Sequence, residues 1–497
     1  MTGTDEKLER LQQLLLRVHT VVEEADARYI TNSKMLVQLK MLVDNMYEGY
    51  HILDTLKYRS LPESVEDVEG SEASTSWINF PSLKRLRKGS DTARSIGLTN
   101  GLDSAVGTLE AAIANMSEFV ILLGGCERVS RRPYDTYLYT DNFMFGRHVE
   151  KQHIINILLQ NHAHLAAPTV LPVIGGYKVG KKTLISHVCN DEQVRSYFSS
   201  ILYIKEDNIG SIDEAKFSSQ RILVVIEFVS DVSDEDWEKF YSSVTQMSGP
   251  SSKVIVISRL HNLARVGTTE PVYVNSLSQQ EFSYLFKMLT FGSTNAEEYP
   301  QLASIANKLA IVLQGSLVTT NVVADLLRRN LDVQFWLCTM QRFKGMLANN
   351  IEKFGEHPKD MLEKEHPVHI IGFTSSSCPV PLRLMPPQVE KHELPRQNQL
   401  PNVMFGDIVA GFKAVPDEEF EIVSWESRLP PYTKYIHSVE VNVDKKTLCS
   451  TPSGKRRSSK WYKQTWQTVH CSRAYWLAIG SWTVQCSVQQ LALTNIA

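Results

Sequence analysis

A chain of 497 residues is too long for one ordinary hydrophobic core, and roughly two to four units are expected. Its net charge of −3 and average composition are those of a soluble globular protein; no apolar stretch reaches membrane-spanning length, and the charged start MTGTDEKLER reads as no signal peptide. The 7 cysteines are scattered without a CxxC pair, which argues against a metal site and for a reducing compartment; Cys126, Cys189 and Cys338 lie in helical patterns and are expected to be core thiols.

Residues 1–130 read as helical. Leu8, Leu11, Leu15, Val18 and Val22 form an amphipathic stripe, and Met35, Leu39, Leu42, Met46, Ile52 and Leu53 form a second. The acidic PESVEDVEGSEASTS and the basic LKRLRKG then read as a long exposed loop. A third helix is expected from about Leu102 to Leu123, with Val106, Leu109, Ile113, Met116 and Val120 on its apolar face. Three such helices form a small bundle or offer a face to a partner, and self-burial is the simpler outcome.

Residues 131–144 read as a linker into a nucleotide-type unit at 145–290. There LPVIGGYKVGKKTLISHVCND runs from an apolar strand through a Gly-bracketed loop into a helix. The frame Gly175-x4-Gly180-Lys181 is that of a phosphate-binding loop, whose backbone N–H groups and helix N-terminus favour an anion. Its last position holds Lys182 where Ser or Thr supplies a magnesium ligand. Inside the loop, Tyr177 and Lys178 stand where positive φ is often needed, at a cost of roughly 1–3 kcal/mol for a non-Gly residue. Lys178, Lys181 and Lys182 put cations where a metal would otherwise help neutralise phosphate. Arg221 to Val229 is a buried-strand run ending in Glu227, which can still hold magnesium through a water, and in Phe228, which cannot polarise one. A further strand, Lys253 to Ser258, ends in Arg259, suited either to an outermost phosphate or to solvent.

The order of FGRHVEKQHIINILLQ, VIGGYKVGKKTL, RILVVIEFV, SSKVIVISR, YVNSLSQQEFSYLFK and LQGSLVTTNVVADLLR resembles the NB-ARC domain of plant disease-resistance proteins. The N-terminal helices resemble the Rx-like coiled-coil domain of that family, with LLLRVHTVVEEADARYITN similar to its grass-abundant branch. The resemblance covers roughly residues 8–340. It implies that the backbone of Gly146 and Arg147 lies against an adenine, and that Gly175, Gly176, Val179, Gly180, Lys181, Lys182, Thr183 and Leu184 form the phosphate loop. The strand-end acids map to Glu227 and Phe228, the phosphate-sensing arginine to Arg259, and the adenine-closing motif to Leu313–Leu317, with Leu317 replacing its proline. The implied cofactor is ADP or ATP, with magnesium binding weakened.

The chain departs from the family elsewhere. Its opening resembles the family's second helix, Glu48 to Asp54 replaces the acidic EDVID-like motif, and neither a winged-helix segment with an MHD motif nor leucine-rich repeats are evident after residue 340. It reads as a truncated relative. A helical subdomain is expected at 291–355. Region 356–447, Pro-dense from about His366, reads as irregular and β-rich, with strands at Val403–Val409, Phe420–Trp425 and Tyr435–Val443. The tail 448–497 is basic and carries Trp461, Trp466, Trp476 and Trp482; nucleic-acid binding is a minor reading, and Lys455–Arg457 is a weak nuclear-import signal.

The expected fold class is multidomain α and α/β: a helical bundle, a three-layer P-loop-like domain with a helical subdomain, and a β-rich C-terminal region. No GxSxG, HExxH, paired-carboxylate or metal-ligand spacing points to an enzyme active site, and His187 is expected to be an ordinary histidine. The leading functional expectation is an ADP- or ATP-binding, non-hydrolysing plant-defence protein. It would be cytoplasmic and would contact other resistance or signalling proteins through its N-terminal helices. A nucleotide-free helper or decoy and a weak ATPase are the alternatives.

Overall fold

The computed structural model describes residues 3–58, 91–128, 144–160, 167–206, 220–249, 251–364, 366–370, 382–385, 388–389, 402–410, 420–426 and 434–441. The acidic stretch 62–76, the basic segment 83–89, residues 131–143 of the expected linker and the tail 448–497 lie outside them. Among the described residues, no single helix is long and apolar enough to cross a membrane.

The first two apolar stripes become α1 (Gly3–Asp26) and α2 (Ser33–Lys57). Asn32 caps α2 by accepting from the N–H groups of Lys34 and Met35. The expected third helix is two: α3 (Asp91–Ala114) and α4 (Ser117–Gly124), bent by 50°. The break falls at Asn115–Met116, and the bend folds Phe119 and Leu123 into the bundle core. Val120, placed on the apolar face of a straight helix, is exposed instead. Tyr29 N–H donates to Glu127 O and so ties the end of the bend to the loop after α1.

Next come α5 (His148–Leu159), β1 (Thr169–Ile174), α6 (Lys181–Cys189), α7 (Glu192–Tyr197), β2 (Ser200–Lys205), β3 (Ile222–Phe228), α8 (Asp234–Met247), β4 (Lys253–Ser258) and β5 (Val272–Tyr273). The strands form a parallel sheet in the order β2-β3-β4-β1-β5. β1 and β4 are buried along their whole length, as continuous apolar runs in a sheet covered on both faces require. Ile174 pairs with Ser258, and Phe228 pairs with Ser258 from the other side. The loops after β1, β3 and β4 therefore open at one carboxyl edge, where open α/β sheets bind ligands.

Beyond the sheet lie α9 (Gln279–Phe291), α10 (Pro300–Leu313), α11 (Leu317–Arg328), α12 (Val333–Phe354) and α13 (Pro358–Glu363). They are followed by β6 (Val368–Ile370), β7 (Leu382–Leu384), β8 (Gln388–Val389), β9 (Asn402–Met404), α14 (Phe405–Ala410), β10 (Phe420–Glu426) and β11 (Lys434–Val441). These strands make a second sheet, β6-β7-β11-β10-β9, with β8 on β11. The sequence-expected strand Val403–Val409 is only begun as a strand. Phe405, Ile408 and Val409 are buried at helical spacing, a short apolar run whose period the sequence left ambiguous. The region after His366 is not irregular surface throughout: Ile370, Leu382, Phe420 and Val439 share one core with Phe286, Leu309 and Trp336 of the helices. Cys189 is buried as expected, but Cys126 is partly buried and Cys338 is exposed, so neither of these two is a core thiol.

The remaining apolar face of the N-terminal bundle is covered by the nucleotide-type unit. Tyr47 packs on Phe145 and Tyr284 at 5.0 and 5.2 Å between ring centroids, and Tyr50 packs on Tyr284 at 5.0 Å. Charges frame these rings: Lys40 pairs with Glu281 at 3.0 Å, and Lys287 holds both oxygens of Asp54 at 2.7 and 2.8 Å. Burial raises the Glu281 carboxyl, but Ser278 N–H and the Lys40 charge outweigh it and hold the group below the usual range. A second seam is polar: Gln152 accepts from Ile30 N–H at 3.0 Å, and Asn156 donates to Ile30 O at 3.0 Å.

Asp54 is buried, so Asp54→Ala strands the Lys287 ammonium and should cost about 2–3 kcal/mol in denaturant unfolding. The double variant Asp54→Ala with Lys287→Met should recover part of that loss. Residues 1–130 expressed alone should self-associate, because Tyr47, Tyr50 and Leu53 lose their cover; light scattering of the fragment reads this directly.

Candidate nucleotide-binding site

The loop between β1 and α6 is shaped by close approach and by backbone sign. A Cβ at Gly175 would fall 2.2 Å from Val274 O, because the chain leaving β5 runs directly against it. Gly180 caps α6 at φ +95°, and Lys178 is held at φ +50°. The inner loop position thus carries the positive φ expected, at the expected cost for a residue with a side chain.

Lys181 donates to Gly175 O at 2.7 Å and to Gly176 O at 2.6 Å, so its ammonium closes the loop on itself. Lys182 pairs with Glu227 at 2.6 Å, bridging the first turn of α6 to the end of β3. Phe228 points to the opposite face of the sheet, buried edge-on against Trp237. Thr183 is partly buried on the first turn of α6, whereas Leu184 is fully buried in the α6 core and supports the loop from below. Arg259 faces a space lined also by Gly176, Tyr177, His357, Lys364 and the acids Glu356, Asp360 and Glu363, and its charge reaches Lys181.

A small cleft of about 80 Å³ opens beside the loop. Tyr177, Lys178 and Val179 form one wall, Ser276 and Leu277 a second, and Gly315–Thr319 a third. Leu317 opens α11, with Cδ1 3.7 Å from where a Gly180 Cβ would stand. Gly146 lies beside the cleft-lining Leu277, where an added Cβ would meet Leu277 Cδ2 at 3.2 Å. Arg147 turns away, donating to Glu150 at 3.2 Å and to Asn275 O. The structure therefore brings the loop residues, Glu227, Arg259 and Leu317 to one edge, with Gly146 next to the cleft-lining Leu277.

The C-terminal sheet completes the cleft with Leu384, Ser424 and His437, joined by Phe405 of α14 and Lys359 of α13. Sequence reasoning assigned none of these. His437 is 3% exposed, and its Nδ1 lies 2.8 Å from Met385 O. Burial and then the Lys178 charge push its pKa down to about 4, so it faces the cleft neutral. His187 is also kept neutral, pushed down to about 4 by burial and then by Lys151.

No protein-family model matches the chain. Disease resistance protein RGA2 of Solanum bulbocastanum is 24% identical over 338 residues, covering 62% of this chain and 33% of that protein. Putative disease resistance protein RGA1 of the same species is 21% identical over 364 residues, covering 67% and 35%. Putative disease resistance RPP13-like protein 1 of Arabidopsis thaliana is 27% identical over 198 residues, covering 39% and 18%. The chain is a relative of the plant NB-ARC disease-resistance proteins. It spans about a third of the length of the first of these relatives. A chain of the E. coli MS115-1 HORMA:CdnC:Trip13 complex aligns with 43% of it at 10% identity and a TM-score of 0.28, too distant a likeness to bear on the fold.

A magnesium site of the kind such loops use does not fit these residues. Position 182 offers an ammonium instead of a hydroxyl, and Glu227 already accepts from it. Among the described residues, no group of three His, Cys, Asp or Glu side chains could hold a metal ion.

The electrostatics of the loop have a measurable consequence. Burial pushes Lys178 and Lys181 down to about 8, with Glu227 partly opposing the shift at Lys181. An anion in the loop favours their charged forms, so binding takes up protons wherever the free lysines are neutral. Affinity for a phosphate-bearing ligand should be full below pH 8 and fall as pH rises through it. The expected loss is on the order of tenfold per lysine by pH 9, measured by calorimetry. Lys181→Arg should flatten the profile.

Proposed function

We propose that this chain is an adenine-nucleotide-holding, non-hydrolysing module of plant-defence type, acting in the cytoplasm through protein contacts of its N-terminal helices. The observation that carries this reading is the phosphate-type loop at the carboxyl edge of a parallel sheet, with a cleft beside it walled by Leu277 and Leu317. The likeness to resistance proteins supports the defence role. Lys178, Lys181 and Arg259 supply charge for phosphate, while the apolar walls suit a purine. Gly146 and Arg147 support the Leu277 wall, and Gly175, Gly176, Val179, Gly180, Lys182 and Thr183 belong to the cradle. Hydrolysis is disfavoured because Lys182 replaces a metal-binding hydroxyl and Phe228 is apolar and buried against Trp237.

A second reading is favoured by one observation. Lys181 donates to two carbonyls of its own loop, a closure that requires no phosphate and suits a nucleotide-free interaction protein. The nucleotide content of purified protein separates the two. Heat release followed by chromatography should yield stoichiometric ADP, and Lys181→Ala should reduce ADP affinity by at least about tenfold. ATP turnover should match background. Empty protein that gains no ADP on incubation yet still binds the helical domain of a full-length resistance protein would favour the second reading.

A further inference from the structure

We propose that the Lys182–Glu227 pair is a built-in substitute for a divalent cation, so that the loop takes a nucleoside diphosphate as its free anion and rejects the magnesium complex. This rests on the reading that the loop holds an adenine nucleotide and assigns the chemical form in which it does so.

The argument begins with position. The parallel register sets Ile174, Ser258 and Phe228 abreast, so the loop after β1 and the end of β3 meet at one level. A metal ion in a loop of this type sits between the hydroxyl that opens the helix and the acid that ends the neighbouring strand. Here that space is spanned by Lys182 Nζ and Glu227 Oε2, 2.6 Å apart. The hydroxyl is replaced by an ammonium, whose charge complements that of the acid retained at Glu227. The side chains are 30% and 37% exposed, so the ammonium can leave the carboxylate for a phosphate oxygen without unpacking the core.

Charge then decides which form of the ligand fits. Lys181 and Lys182 stand at the N-terminus of α6, with Lys178 in the loop and Arg259 at the end of β4. A free diphosphate is attracted by all of them and by the helix end. A magnesium-complexed diphosphate has lost most of that charge, and its metal would have to occupy the space of an ammonium. Magnesium also demands near-ideal octahedral oxygen ligation, whereas at this edge Glu227 is already paired with Lys182 and Glu206 already accepts from Val229 and Ser230. The intact arrangement recruits a metal to hold the phosphate. This one carries its own cation and should be poisoned by the metal.

The test is calorimetric titration of the full chain with ADP at pH 7.5, in excess chelator and in excess magnesium. The expected result is binding in chelator that excess magnesium weakens by about tenfold, because the complexed nucleotide is rejected. Lys182→Thr should reverse the sign, so that magnesium strengthens binding. Glu227→Gln should tighten binding in chelator, because the ammonium is released to the phosphate, and should keep the magnesium penalty. Equal or tighter wild-type binding in magnesium overturns this proposal and leaves nucleotide binding intact. Absence of binding in both conditions overturns this proposal together with the reading on which it rests.

Discussion

The register of the central parallel strands is the constraint on which the rest depends. Because β1, β3 and β4 are buried on both faces, none can slip without moving its apolar run, and their carboxyl ends stop together. That alignment delivers Gly175, Glu227 and Arg259 to one edge from separate parts of the sequence. It also forces Glu227 and Phe228 onto opposite faces of the sheet. One reaches Lys182, and the other fills the apolar layer against Trp237 and Phe240.

The same edge is joined by direct contacts to the N-terminal bundle. Glu281 sits in the first turn of α9, closes a capping box with Ser278 and accepts from Lys40 of α2. Leu277 is the next residue upstream and forms a wall of the cleft. Tyr284, about one turn after Glu281, packs on the aromatic residues of α2 and on Phe145. A short path of hydrogen bonds and packed rings thus runs from bundle to cleft. The C-terminal sheet reaches the cleft from the other side, since it shares its core with α10, α11 and α12.

Much of this was legible in the chain. Helical periodicity located α1 and α2, continuous apolar runs located β1, β3 and β4, and the loop glycines marked the turn after β1. Each signal is local, and each was read within a few residues. The errors arose where a local pattern supports two structures. A straight stripe from Leu102 to Leu123 does not reveal a bend at Asn115, and Val403–Val409 fits a strand as well as the strand-to-helix step it makes. The resemblance puts Gly146 and Arg147 against an adenine, and in the fold Gly146 packs beside Leu277, which lines the cleft.

The sequence by itself determined the elements and the chemistry available at the loop: Lys178, Lys181 and Lys182 in place of a metal-binding hydroxyl, and Glu227 followed by Phe228. Tertiary structure alone decided what those groups do to one another. That Lys182 meets Glu227 and that His437 lines the same cleft as Lys178 are long-range facts. They follow from strand register and a shared core, which fix distances between residues tens to hundreds of positions apart. No spacing along the chain records those distances.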